Sequence, residues 1–326
     1  MTATKSRNAV WWFAWRTLMW WLIATPFVLA RNWLLPFLDA HSADLLRQNL
    51  RVTAMGAAAN QMDAGVFWAL LLGVLSLGLL TRRGELMALL AGPVRRQDVY
   101  VIHACLTGGG LILGQLVVAC YLCGLDALVG LPAHPALLVH VLVKRLLLYL
   151  AAWSVGLAAG ATISNVVMAV IAACGVSAFP VYVALLAEYL GAKWLGIPPA
   201  HLYQAIAQLS PFSLLDQVTG ASLAGYALWF VAWILGWTWL GFRLFQRLPL
   251  EHLSEAFPFE AYRSLLFLGI ALCASLVITV WVDHVVDLGQ TRTAAVEAFV
   301  IWLAATCGLL AALTFGRRRR SRRWKA

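Results

Sequence analysis

The chain has 326 residues, of which 62% are hydrophobic and only 12% are charged, and its formal net charge is +10. A soluble globular domain carries about twice that share of charged residues. Apolar segments of about 20 residues recur along the whole length, so the composition excludes a soluble domain and predicts an all-α, polytopic integral membrane protein. The positive charge does not indicate nucleic-acid binding, because the basic residues cluster at segment ends and in the C-terminal tail.

We predict eight transmembrane helices. They cover approximately residues 13–30, 64–81, 99–123, 143–163, 166–190, 222–243, 263–283 and 294–316. Connections rich in Lys and Arg stay on the cytoplasmic side of a membrane. Sixteen of the 24 basic residues fall on one side when the N-terminus is placed inside, so we predict that both termini are cytoplasmic. Lys144 and Arg145 begin the fourth span on the outer side, where we expect their long side chains to snorkel to the surface.

Residues 82–98, which connect the second and third predicted spans, hold two basic pairs around a leucine-rich stretch. Leu86, Leu89 and Leu90 recur at helical spacing and give one apolar face, and Pro93 ends the helix. We therefore predict a short amphipathic helix on the cytoplasmic surface. Two hypotheses stay open for it: docking into a groove of a soluble partner, or lying at the lipid interface with basic flanks.

Two Gly-x-x-x-Gly patterns predict sites of close helix packing, Gly110 with Gly114 and Gly156 with Gly160. Small residues one turn apart let two backbones approach closely. We expect these glycines to pack within the chain or against a second membrane chain.

Two residues of the fifth predicted span are candidate pathway residues. Pro180 removes a helix hydrogen bond, so we expect a kink there. Glu188 lies near the outer end of the same span, where it either lines a pathway or sits as an acid at the membrane interface.

The sequence contains no signature of bound nucleotide or of catalysis. It lacks Gly-x-x-x-x-Gly-Lys-[Ser/Thr], His-Glu-x-x-His and Gly-x-Ser-x-Gly, so we predict no catalytic residue, no metal site and no enzyme activity of its own. Cys120 and Cys123 have the spacing of a redox or metal pair. We interpret them as lipid-buried apolar residues, because no second pair or histidine set accompanies them.

The connection between spans two and three resembles that of the permease subunit of ATP-binding cassette (ABC) type-two exporters. That family has a Glu-x-Leu-x-x-Leu-Leu-x-x-Pro-Val-[Ser/Arg]-Arg-like stretch there, which forms the coupling helix on the ATPase subunit. The predicted coupling residues here are Arg82, Arg83, Glu85, Leu86, Leu89, Leu90, Pro93, Arg95 and Arg96.

Further stretches match the same family in order. Residues 160–165 resemble its tight inner turn between spans four and five, residues 209–213 its outer re-entrant hairpin, and residues 242–251 its basic exit from span six. The two extra spans at the C-terminal end, entered through residues 255–260, resemble the Ytr-type branch of bacterial permeases.

The resemblance implies a type V ABC exporter-like fold, with a six-span permease core over residues 1–250 and two additional helices with a basic tail over 251–326. It implies export of an amphiphilic substrate, such as a lipid, a peptide or an antibiotic, across a bacterial cytoplasmic membrane. ATP and Mg²⁺ would bind a separate subunit, present in two copies, and this chain would hold no cofactor. A second permease chain, identical or paralogous, and membrane lipids are the other implied partners. The alternatives are a membrane scaffold or a secondary transporter without an ATPase.

Overall fold

A computed structural model of the chain describes residues 3–38, 64–82, 94–129, 135–195 and 223–248, together with separate positions between 264 and 308. The continuous ranges form six helices, and no strand occurs in the described part of the chain. The helices are α1 (Ala3–Leu38), α2 (Ala64–Arg82), α3 (Arg96–Val129), α4 (Pro135–Thr162), α5 (Val166–Leu195) and α6 (Leu223–Gln246).

Each of the first six predicted spans lies on one of these helices. Among the residues that the structure describes, four helical stretches are long and apolar enough to cross a membrane, namely Arg7–Arg31, Arg96–Gly124, Val139–Thr162 and Ala227–Gln246. Shorter apolar stretches lie in α2 and α5. The protein is therefore all-helical over the described residues and carries several candidate membrane spans. The count of eight spans and the type V architecture stay predictions.

The described chain divides into two compact units. The first contains residues 1–174 and 211–258, and the second contains residues 175–210 and 259–326. The first unit thus holds α1 to α4, the beginning of α5, and α6. The predicted division into a core over 1–250 and an addition over 251–326 stays a prediction.

Within the first unit, the helices form two groups. The first group is α1 with α3, and the second group is α2, α4 and α6, with α4 in the middle. Contacts within each group are more extensive than contacts between the groups. Glycines contribute to the close packing inside both groups.

In the second group, α4 packs directly on the backbone of α2. A Cβ atom on Gly156 would overlap the carbonyl oxygen of Leu70, and one on Gly160 would overlap the carbonyl oxygen of Val74. Gly73 meets the carbonyl of Trp153 in the same way from the α2 side. Such contact is available only to residues without a side chain, so the second Gly-x-x-x-Gly pattern faces a helix of the same chain.

In the first group, α3 turns its own Gly-x-x-x-Gly pattern toward α1. A Cβ atom on Gly110 would overlap the side chain of Leu22, and one on Gly114 would lie 2.9 Å from Cγ2 of Thr25. Both glycine pairs therefore pack inside the chain.

Hydrogen bonds between side chains join the two groups. The Trp68 indole N–H donates to the Thr25 hydroxyl over 3.1 Å, which connects α2 to α1. The Trp153 indole N–H donates to the Thr107 hydroxyl over 2.9 Å, which connects α4 to α3. Polar groups that pair across helices stabilise packing where water is scarce.

The outer surfaces of α1 and α6 are apolar and rich in tryptophan. Trp20 in α1 is 73% exposed and Leu228 in α6 is 75% exposed. Large contiguous apolar surface marks contact with a membrane or with another protein. Cys120 and Cys123 lie exposed on α3 as free cysteines.

The second unit is described at fewer positions, but its helical segments are linked by polar contacts. The Thr306 hydroxyl donates to the Ser275 hydroxyl over 2.8 Å. The Trp302 indole N–H donates to the Tyr182 hydroxyl over 3.4 Å, and that hydroxyl donates to the carbonyl of Leu272. These bonds connect the later part of α5 with the seventh and eighth predicted spans.

Candidate functional site

One end of the first unit collects most of its described charged side chains. Arg7 near the start of α1 lies 4.0 Å from Asp98 in the first turn of α3. A Cβ atom on Gly78, near the end of α2, would lie 3.3 Å from Val166 at the start of α5. We call this end the basic face. Its charged residues are Arg7, Arg95, Arg96, Asp98, Arg243 and Arg247.

The start of α3 is fixed by its own first turn. The backbone N–H groups of Asp98 and Val99 donate to the carbonyl of Arg95 over 3.0 and 3.3 Å. The Asp98 carboxylate lies at the positive end of the helix dipole, which favours an acid at this position. Its ion pair with Arg7 is largely exposed, at 59% for the arginine side chain, and contributes at most about 1 kcal/mol.

Arg96 bonds to the C-terminal end of α6, which is 150 residues away in sequence. Its Nη1 donates to the carbonyl of Gln246 over 3.0 Å and to that of Leu248 over 2.7 Å. The last carbonyls of a helix have no partner within the helix, and a cation there also meets the negative end of the helix dipole. Arg96 therefore caps α6 from the start of α3.

Tyr100 contacts α6 one turn further along α3. Its hydroxyl donates to the carbonyl of Thr238 over 2.8 Å, and its ring centroid lies 5.5 Å from that of Phe242. Gly241 makes room for this approach, because a Cβ atom there would lie 2.8 Å from the Tyr100 hydroxyl. We call Arg96 and Tyr100, together with residues 238–248, the α3–α6 clamp.

The turn between α4 and α5 is three residues long, from Ile163 to Asn165. The Asn165 side-chain oxygen accepts the backbone N–H of Val167 over 3.0 Å and that of Met168 over 3.3 Å. Asparagine is a preferred N-cap for this reason. The structure therefore has a tight turn at residues 163–165, whereas its inner position and its likeness to an exporter turn stay predictions.

Most of the predicted coupling residues lie outside the described part of the chain, namely Arg83, Glu85, Leu86, Leu89, Leu90 and Pro93. Arg82 is the last residue of α2, and its side chain is not described. Arg95 is exposed just before α3, whereas the half-buried Arg96 bonds within the chain. Contact of these residues with an ATPase stays a prediction.

The candidate pathway residues both lie in α5. Pro180 is inside the helix and half-buried. Glu188 belongs to the helix, but its side chain lies outside the described set. Their role in a pathway stays a prediction.

The sequence analysis missed the burial of Lys144 and Arg145. We expected these side chains to reach the outer surface, but they are only 7% and 6% exposed within α4. An apolar run identifies a span without giving the rotation of its helix, so the pattern around them carried no signal of burial. Ionisable residues inside a membrane protein are functional candidates by default.

His103 is a further buried residue that the sequence analysis did not single out. It is 0% exposed, and its Nδ1 lies 2.8 Å from the carbonyl of Val99. Because a carbonyl only accepts, Nδ1 carries a proton in this hydrogen bond. The Nε2 atom of His103 has no hydrogen-bond partner among the described residues. In the same part of the chain, no group of three or more His, Cys, Asp or Glu is arranged to hold a metal ion.

No protein-family model matches the chain, and neither a curated protein nor a solved structure matches it. Any functional conclusion therefore depends on the residues and their geometry.

Proposed function

We propose that this chain is the transmembrane subunit of an ATP-binding cassette exporter in a bacterial cytoplasmic membrane. A separate cytoplasmic subunit hydrolyses ATP, and two copies of it work with two permease chains. The observation that carries the proposal is the basic face. The connection from α2 to α3 leaves at Arg82 and returns at Arg96, beside the ends of the other helices of the first unit.

This placement suits a connection that receives force from a soluble partner. Closure of the ATPase around nucleotide pushes on residues 82–98, which carry the leucine face predicted from the sequence and the exposed Arg95. The push tilts whole helices as rigid bodies, a common form of gating. Because Gly156 and Gly160 hold α4 against the backbone of α2, a displacement of α2 carries α4 with it.

The buried side chains of the first unit favour an amphiphilic substrate. Among the described residues, the largest fully buried side chains there are leucines, tyrosines and a phenylalanine, such as Leu72, Tyr149 and Phe245. A pathway for a small inorganic ion needs a series of polar or charged groups across the membrane. The described part of the first unit buries ten polar or charged side chains, of which six are Ser or Thr and three are ionisable. Five of the hydroxyls bond to carbonyls of their own helix, so a lipid, a peptide or an antibiotic fits the unit better than an inorganic ion.

A secondary transporter is the second candidate, and one observation favours it. His103, Lys144 and Arg145 are buried inside candidate spans, where such residues often bind ions or substrate. The two candidates differ in their energy source. Uptake or efflux that is driven by a proton gradient in proteoliposomes containing this chain alone would support the secondary transporter and exclude the need for ATP.

Co-purification tests the proposed exporter. Leu89→Asp with Leu90→Asp places two charges on the predicted apolar face, so the double variant should lose its ATP-binding partner while wild-type protein retains it. Arg247→Gln is the matched control, because Arg247 lies exposed on the same basic face outside the connection. Undiminished partner in the double variant contradicts docking at this connection.

A further inference from the structure

The α3–α6 clamp joins the two helix groups of the first unit at the basic face. Arg96 and Tyr100 belong to the first group through α3, and their acceptors belong to the second group through α6. We infer that Arg96 and Tyr100 are positioning residues that make the two groups move as one body when residues 82–95 are pushed. This inference rests on the proposed function.

The course of the connection between α2 and α3 explains why a bond between the two groups is needed. It runs from α2 in the second group to α3 in the first group. A force applied between those two ends can tilt the groups together, or it can separate them. Only the first response moves the whole unit. The bonds from Trp68 and Trp153 also join the groups, but the clamp joins them at the basic face, next to the connection that receives the force.

Two contacts at different heights make the clamp resist rotation as well as separation. Arg96 and Tyr100 are four residues apart, which is about 6 Å along α3. On α6 their acceptors, Thr238 and Gln246, are eight residues apart, or about 12 Å. A single contact is a pivot, whereas two separated contacts fix the direction of one helix relative to the other.

The chemistry of Arg96 suits this role better than docking. One guanidinium nitrogen donates to two carbonyls, and bonds that involve a charged donor are stronger than neutral ones. The neighbouring Arg95 is exposed. The two adjacent arginines therefore differ in their surroundings. Arg95 is exposed to the outside of the unit, whereas Arg96 bonds to the end of α6.

Paired spin labels test the inference. Gly109→Cys on α3 and Gly236→Cys on α6 are suitable positions, because a Cβ atom at either would meet nothing within 4 Å. The six native cysteines are first replaced by serine or alanine. Distances between the labels are measured by pulsed electron resonance in lipid nanodiscs, with the ATPase bound, both without nucleotide and after trapping with ATP and vanadate.

The inference predicts one narrow label distance that is the same in both states. In Arg96→Gln the distance between the labels should become longer, or its distribution broader, after trapping. The fraction of molecules in which the two helix groups have separated should rise about tenfold, because the charged hydrogen bonds are lost. Tyr100→Phe removes only a hydroxyl and should shift the distribution in the same direction by less. Arg31→Gln is the control and should leave the distance distribution unchanged, because Arg31 is an exposed arginine of α1 that lies outside the basic face and the clamp.

The remaining outcomes separate the inference from the proposed function. Arg96→Gln should keep its ATPase bound yet lose most of the ATP hydrolysis that the membrane subunit stimulates. If Arg96→Gln releases the ATPase, Arg96 is a docking residue and the inference is wrong, although the exporter stands. If Arg96→Gln and Tyr100→Phe both keep the wild-type label distances and ATP hydrolysis, the clamp is not required for the two groups to move together and the inference is wrong. If wild-type chain binds no ATPase, the proposed function fails and the inference fails with it.

Discussion

Gly156 of α4 lies so close to Leu70 of α2 that a methyl group on the glycine would overlap the leucine carbonyl oxygen. We therefore expect Gly156→Ala to lower the melting temperature of the detergent-solubilised protein, with a cost of about 1–3 kcal/mol from overpacking. Gly236→Ala is the control, since a Cβ atom there meets nothing within 4 Å. Alanine favours helix over glycine by about 1 kcal/mol, so the control should be neutral or stabilising. Equal melting temperatures for Gly156→Ala and wild type contradict the packing.

The bond from Trp153 to Thr107 should contribute measurably to stability. Thr107→Val keeps the side-chain shape but removes the acceptor of a buried indole N–H. A double-mutant cycle with Trp153→Phe should give a coupling energy of about 0.6–1.7 kcal/mol in unfolding by denaturing detergent. Thr17→Val replaces a hydroxyl that bonds to its own helix at Phe13, so it should show no coupling to Trp153. Zero coupling for the Thr107 pair would mean that this bond does not join α3 to α4.

The basic face should be reached from one side of the membrane only. Arg95→Cys and Arg247→Cys, each in a chain without its native cysteines, should react with an impermeant maleimide in inverted vesicles but not in right-side-out ones. The two positions should lie on the same side because Arg96 bonds to the end of α6. That side should be the cytoplasmic one because basic connections prefer the cytoplasm.

Leu113→Cys, on an exposed apolar part of α3, is the control for this labelling and should react in neither preparation. Reaction of the two arginine positions from opposite sides contradicts the basic face itself. Reaction of both from the outside keeps the face but reverses the topology and removes the proposed function.

Apolar runs were sufficient to predict where the first six helices lie. The second predicted span, 64–81, falls on Ala64–Arg82 almost without change. The runs did not predict how far the helices extend, because α1 continues through polar residues on both sides of its apolar run, from Ala3 to Leu38. Helix formation needs backbone hydrogen bonds and no particular polarity, so an apolar pattern marks only the part that fits the membrane.

The partners of individual side chains were beyond the sequence. The Gly-x-x-x-Gly pattern at Gly156 indicates a surface for close approach, but nothing in the pattern names α2 as the helix that approaches. Arg96 looked equivalent to Arg95, since both flank the same connection. Only the fold brings Arg96 to Gln246, 150 residues along the chain. Local sequence carries no signal of such a contact.

Site-specific photocrosslinking at Arg95 tests the central claim most directly. A benzoyl-phenylalanine at position 95, activated in native membranes, should form an adduct with a protein that is also labelled by azido-ATP. The same residue at position 113, on an exposed apolar part of α3, should give no such adduct. Capture of an ATP-binding protein at position 95 alone is the predicted result. If position 95 captures only lipid, or is protected from cytoplasmic reagents, residues 82–98 do not couple this chain to ATP hydrolysis.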